Sequence, residues 1–119
     1  VVDDSLIARK KIAVTLDLLK LDYQLVNGAD EALLLLEKTA IPFDMIISDI
    51  EMPQMNGYEF SKKTRALANH HANTHILLHT SLTLNKNNKD FEQSKANSLL
   101  TKFAPKALAS NIYQGLTHR

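Results

Sequence analysis

Phe43-Asp44-Met45-Ile46-Ile47-Ser48-Asp49-Ile50-Glu51-Met52-Pro53 is the stretch on which the fold turns. Its apolar run breaks into an acidic, proline-bearing turn, and residues 43–49 read as a strand whose last residue is a carboxylate. Elsewhere Val1-Val2 runs into Asp3-Asp4, Ile76-Leu77-Leu78 into Thr80, and Leu99-Leu100 into Lys102. In an open parallel sheet the carboxyl ends of the strands lie along one edge, and ligands bind there. Three carboxylates, a hydroxyl and an ammonium would then share one pocket.

Working outward, apolar runs alternate with segments of helical spacing, the pattern of repeated strand and helix units in an α/β domain. Residues 1–3 form a first strand stub. Residues 5–21 read as a helix, with Ile7, Ile12, Leu16 and Leu19 recurring three to five apart and Ser5 or Asp4 as its cap. A short strand at 23–26 ends at Gly28, Asp30 offers a cap, and residues 32–38 form an apolar helix that Pro42 bars from continuing. Asn56-Gly57 marks a loop in which Gly57 is expected to supply a positive φ. Helix is expected from near Tyr58 to about Leu67, then a polar stretch over 69–73 and a fourth strand over 74–80. An Asn-rich turn at 84–88 leads to a weakly amphipathic helix over 89–96, with Phe91 nearly its only large apolar residue. That helix has little to bury and is expected to be the most mobile element. Residues 98–101 form the fifth strand, and Pro105 opens a last helix through Leu108, Ile112 and Leu116. No internal repeat is present.

A chain of 119 residues fits one domain spanning 1–119, large enough to bury about two-thirds of its unfolded surface. With 45% hydrophobic and 23% charged residues it has the balance of a globular domain. No apolar stretch approaches the ~18 residues of a membrane span, and the start is no signal peptide, so a cytoplasmic location without membrane insertion is expected. The lack of Cys excludes disulfide and thiolate chemistry. A first strand cut to Val1-Val2 leads us to expect a longer parent protein. Residues 1–59 carry 5 basic and 11 acidic side chains, and residues 60–119 carry 9 and 2, so the halves bear −6 and +7. Such polarity can steer an acidic partner to the second half, although solvated surface explains most of the lysines. Nucleic acid is not an expected partner, because the basic residues are not interleaved with stacking aromatics and no helix-turn-helix remains.

Asp3, Asp4 and Asp49 crowded together would repel one another and raise their pKa values unless a cation compensates. All-oxygen ligands with room for water suit Mg²⁺, and the backbone carbonyl of Glu51 can add a further oxygen. Asp49 can then act as a nucleophile toward phosphorus, giving an aspartyl phosphate. Mg²⁺ and Lys102 would neutralise the phosphoryl oxygens, and Thr80 would donate a hydrogen bond to one of them. Taken singly, each residue has a plainer reading: Asp4 a helix cap, Asp49 a turn former, Thr80 a strand-end hydroxyl, Lys102 a solvated charge. Turn formation alone does not require this series of groups at the ends of four strands.

Asp3-Asp4-Ser5, Asp49-Ile50-Glu51-Met52-Pro53, Asn56-Gly57, Thr80-Ser81 and Lys102 stand in the order and approximate spacing of the receiver domain of two-component response regulators, which the whole chain resembles. The resemblance implies a flavodoxin-like, three-layer, doubly wound domain with a five-stranded parallel sheet of order 2-1-3-4-5. It also implies that Asp49 is the phosphoacceptor, Asp3 and Asp4 are Mg²⁺ ligands, Thr80 is the switch hydroxyl and Lys102 binds phosphate. The donor would be a phosphohistidine on a histidine kinase. His79-Thr80-Ser81-Leu82 and Lys102-Phe103-Ala104-Pro105 look like the receiver of CheV-type chemotaxis coupling proteins. That likeness implies a CheA-like kinase and chemoreceptor array components as partners. A receiver from a hybrid histidine kinase is the near alternative. From other classes, a metal-dependent phosphatase using Asp49 lacks a second aspartate where Glu51 stands, and a flavodoxin-like mononucleotide binder lacks a glycine-rich loop.

Several positions depart from the receiver pattern. Phe103 replaces the usual proline after the lysine, and a trans bond is expected there because a non-proline cis bond costs about 2.5–4 kcal/mol. Leu99 stands at the usually aromatic switch position, and Lys95-Ala96 replaces a common Gly-Ala. Glu51 and Leu82 flank the pocket where receivers vary the lifetime of the phosphoryl group. Of the histidines, His70, His71 and His75 read as loop or core residues, and His79 is expected to face the side of the sheet opposite Thr80.

Overall fold

Met45–Asp49 forms strand β1, in which Ile46 through Asp49 are all buried. The structure is a computed structural model that describes residues 1–67, 70–81 and 88–117. β1 pairs in parallel with β2, His75–Thr80, from Met45 opposite His75 to Asp49 opposite His79. β2 pairs in parallel with β3, Ser98–Thr101, from Leu77 opposite Ser98 to Thr80 opposite Thr101. On the other side of β1, Val2 bridges Ser48 and Val26, both in the parallel sense. Val2 N–H donates to Ile47 O at 2.8 Å, and Asp3 N–H donates to Val26 O at 3.1 Å. Across the sheet the order is therefore Val26, Val2, β1, β2, β3, which is the expected 2-1-3-4-5.

Helices clothe both faces, which is why the central strands read as unbroken apolar runs instead of alternating ones. Helix α1, Leu6–Leu18, and helix α5, Pro105–Thr117, cover one face, where Ile12, Leu16, Leu108 and Ile112 enclose Ile47 and Leu77. Helices α2, Ala29–Lys38, and α3, Gly57–Arg65, cover the other, where Ala32, Leu36 and Phe60 enclose Ile46, Ile76 and Leu78. Helix α4, Lys89–Ser94, packs on α3. The result is the flavodoxin-like α/β arrangement in three layers.

Local chemistry moved several boundaries. The strands expected at 1–3 and 23–26 are reduced to the bridging residues Val2 and Val26, because exposed Gln24 and Leu25 lie at the sheet edge with only Val1 to Asp3 beside them. Helix α1 ends at Leu18, with Lys20 turned to φ 59°. Gly28, not Asp30, precedes α2, so Asp30 and Glu31 fall in its first turn, where acidic groups suit the helix dipole. Residues 70–73, in the polar stretch, form a 3₁₀ turn. α4 stops at Ser94, two residues early, with Lys95 in the left-handed conformation at φ 60°. Gly57 does not adopt the expected positive φ, and the Lys102–Phe103 peptide is cis, not trans. Leu82 and the expected Asn-rich turn up to residue 87 lie outside the described residues.

Candidate functional site

The carboxyl edge of the sheet gathers Asp3, Asp4 and Asp49, with one carboxylate oxygen of each within 4.8 Å of the others. Asp3 and Asp49 are buried and Asp4 is exposed, so the cluster has a closed floor and an open rim. Local structure sets each one. Ser5 caps α1 by accepting from Ala8 N–H at 3.2 Å, and Ser5 N–H donates to Asp3 Oδ1 at 2.9 Å, which aims Asp3 inward. Ile50 N–H donates to Asp49 Oδ1 at 2.9 Å just beyond β1.

Lys102 reaches this floor from the end of β3. Its ammonium lies 2.7 Å from Asp3 Oδ2 and 3.2 Å from Asp49 Oδ1. Burial and the neighbouring Asp3 charge push the Asp49 carboxyl above its ordinary range, and Lys102 opposes that rise. Burial pulls the Lys102 ammonium down, but its bonds and charge contacts to Asp3 and Asp49 outweigh this and leave it above its ordinary value. Two buried carboxylates facing one ammonium keep a net negative charge. A set of three carboxylates that close, all oxygen and open to water on one side, fits a hard divalent cation.

Thr80 is buried at the carboxyl end of β2, and its carbonyl accepts from Lys102 N–H at 2.6 Å. Glu51 is exposed in the loop after β1. Gly57 owes its identity to close approach, since a Cβ there would collide with the carbonyl oxygen of Asp49. Asn56 caps α3 by accepting from Glu59 N–H at 2.9 Å. His79 faces α1 and α5, opposite Thr80, as strand alternation requires.

Sequence reasoning missed Arg9, whose Nη1 donates to Asp3 O at 2.5 Å and to Asn27 Oδ1 at 3.1 Å, tying the acidic loop to α1. Its position six residues beyond Asp3 carries no local signal. It also missed the ring of Phe103, which meets His79 edge-on with centroids 5.2 Å apart. A cavity of about 540 Å³ lies at the amino-terminal ends of the strands, lined by Val1, Leu36, Phe43 and Met45 among others, away from the acidic cluster. Among the described residues, no helix is long and apolar enough to cross a membrane.

Comparison with known proteins gives the same picture. Over 97% of this chain and 94% of the other, it superposes on chemotaxis protein CheY4 of Vibrio cholerae with a TM-score of 0.85 and 32% identity. The receiver domain of a signal transduction histidine kinase from Syntrophus aciditrophicus matches over 98% of this chain and 87% of the other, with a TM-score of 0.81 and 25% identity. Among curated proteins, the sensor histidine kinase RcsC of Escherichia coli is 39% identical over 67 residues, 56% of this chain, and the match spans 7% of that protein's length. The family model for the response regulator receiver domain matches residues 1–113. An acidic cluster at the carboxyl edge of a doubly wound sheet, joined by a lysine from the last strand and matched almost end to end, makes this chain a member of the response regulator receiver domain family.

Proposed function

We propose that the chain accepts a phosphoryl group from a phosphohistidine of a histidine kinase onto Asp49. The observation that carries this reading is the Lys102 ammonium between Asp3 and Asp49, at 2.7 and 3.2 Å, inside a three-carboxylate cluster. An oxygen of Asp49 attacks phosphorus, a P–O bond forms, and the P–N bond to the donor imidazole breaks. Asp3, Asp4, Asp49 and the Glu51 carbonyl would hold Mg²⁺, which would supply positive charge for the incoming phosphoryl oxygens. Lys102, already 3.2 Å from Asp49 Oδ1, neutralises the same oxygens from that position, and the Thr80 hydroxyl donates to one of them. The domain, over residues 1–119, is a signalling module of the cytoplasm and not a turnover enzyme.

We assign the parent to a chemotaxis coupling protein of the CheV type, phosphorylated by a CheA-like kinase in a receptor array. The likeness to CheY4 supports a chemotactic setting. The partial likeness to RcsC favours the second reading, a receiver within a hybrid kinase.

The test is intact mass after incubation with acetyl phosphate or beryllofluoride and Mg²⁺. One stoichiometric adduct is expected, absent in Asp49→Asn. An adduct that survives that substitution, or steady release of phosphate from external esters, overturns the assignment.

A further inference from the structure

Phe103 sits in the loop between β3 and α5 with 38% of its surface exposed. It stands nearly perpendicular to the imidazole of His79, with ring centroids 5.2 Å apart and planes at 81°. The Lys11 ammonium of α1 lies 4.9 Å from the centroid of the Phe103 ring. His79 is fully buried, and neither of its ring nitrogens has a hydrogen-bond partner among the described residues. Burial and the nearby Lys102 charge depress its pKa to about 4, so near neutral pH it is an uncharged, flat packing surface.

Next to this stack, Lys102 N–H donates to Thr80 O at 2.6 Å. The adjacent pairs His79-Thr80 and Lys102-Phe103 are thus joined twice, ring to ring and backbone to backbone. A lysine side chain otherwise has wide rotamer freedom, and its ammonium samples many positions. Anchoring both its own backbone and the following side chain narrows that range.

We propose that Phe103 is a positioning residue, whose ring, in contact with the His79 imidazole and the Lys11 ammonium, keeps the adjoining Lys102 ammonium on Asp3 and Asp49. For its consequence in phosphoryl transfer it rests on the reading of Asp49 given above, whereas the placement of Lys102 does not.

The test follows the ¹H–¹⁵N resonance of the Lys102 ammonium in lysine-labelled protein, together with the rate of modification by acetyl phosphate. The resonance is expected to be slowed in exchange in the wild type and in Phe103→Tyr. It is expected to be lost in Phe103→Ala, with a fall in rate on the order of tenfold to a hundredfold, the scale of a misplacement of about 1 Å. Phe103→Leu keeps bulk without a ring, Lys11→Met removes the exposed cap, and both are expected to weaken the resonance without unfolding. Wild-type resonance and rate in Phe103→Leu and Lys11→Met overturn the proposal, whether or not Phe103→Ala folds. If no phosphoryl group is accepted while the resonance still responds to Phe103, the phosphoacceptor reading fails and the positioning role stands.

Discussion

At the scale of single residues, the acidic floor carries a stability cost that its charges make readable. The Asp49 pKa is raised by burial and by Asp3, so the folded chain holds that proton more tightly than the unfolded one. Its contribution therefore favours folding at low pH, and turns into a penalty as pH rises from the ordinary carboxylate value through the raised one. Asp49→Asn without divalent ions is expected to melt higher than the wild type at pH 7, by about 4 °C for each kcal/mol recovered, and to lose that advantage below about pH 3.8. Equal melting temperatures across this range would contradict the account. Lys102→Ala leaves Asp3 and Asp49 facing each other in a buried site, and loss of one partner from such a group costs up to about 3–5 kcal/mol. Urea unfolding is expected to show this loss without metal and to show it shrink when Mg²⁺ is added. The types of these residues were legible in the sequence, because strand ends are marked by where apolar runs stop. Gly57 was read for its φ and is needed for its lack of a Cβ against Asp49, a contact that only the assembled loop creates.

At the scale of elements, local signals placed helices and strands well where the partners were local too. Ser5, Asn56 and Asn88 each cap the helix that follows, and Pro105 opens α5 as a first-turn proline should. The sequence did not show that α4 would stop at Ser94. There Lys95 takes φ 60°, its carbonyl accepts from Arg65 Nε at 3.0 Å, and Arg65 Nη2 donates to Asn97 Oδ1 at 2.7 Å. The turn into β3 is thus held from α3, by a residue thirty positions away. A lysine in that conformation is strained by about 1–2 kcal/mol, part of which glycine returns through its freedom in the unfolded chain. Lys95→Gly is expected to raise the unfolding free energy by about 0.5–1 kcal/mol, read as a higher denaturant midpoint, since the Arg65 bond goes to backbone. A lower midpoint would show that the lysine side chain stabilises the turn.

At the scale of the whole molecule, a cation that binds the folded cluster and not the unfolded chain must stabilise the fold. Mg²⁺ at a hundred times its dissociation constant is expected to add about 2.7 kcal/mol to unfolding, and to add little in Asp3→Asn. A melting temperature indifferent to Mg²⁺ in the wild type would speak against the cation site. By itself the sequence determined the alternation of strands and helices, the two-sided burial of Ile46-Ile47 and Ile76-Leu77-Leu78, and the side chains at the strand ends, since hydrophobic period and capping are read over a few neighbouring residues. Only the tertiary structure decided that Lys102 sits closer to Asp3, at 2.7 Å, than to Asp49, at 3.2 Å, that Arg9 braces the Asp3 carbonyl, and that Phe103 lies against His79. The Lys102 and Phe103 contacts join distant parts of the chain, the Arg9 contact needs the loop into α1 already folded, and the strength of all three depends on burial and through-space charge, which a pattern of residue types does not record.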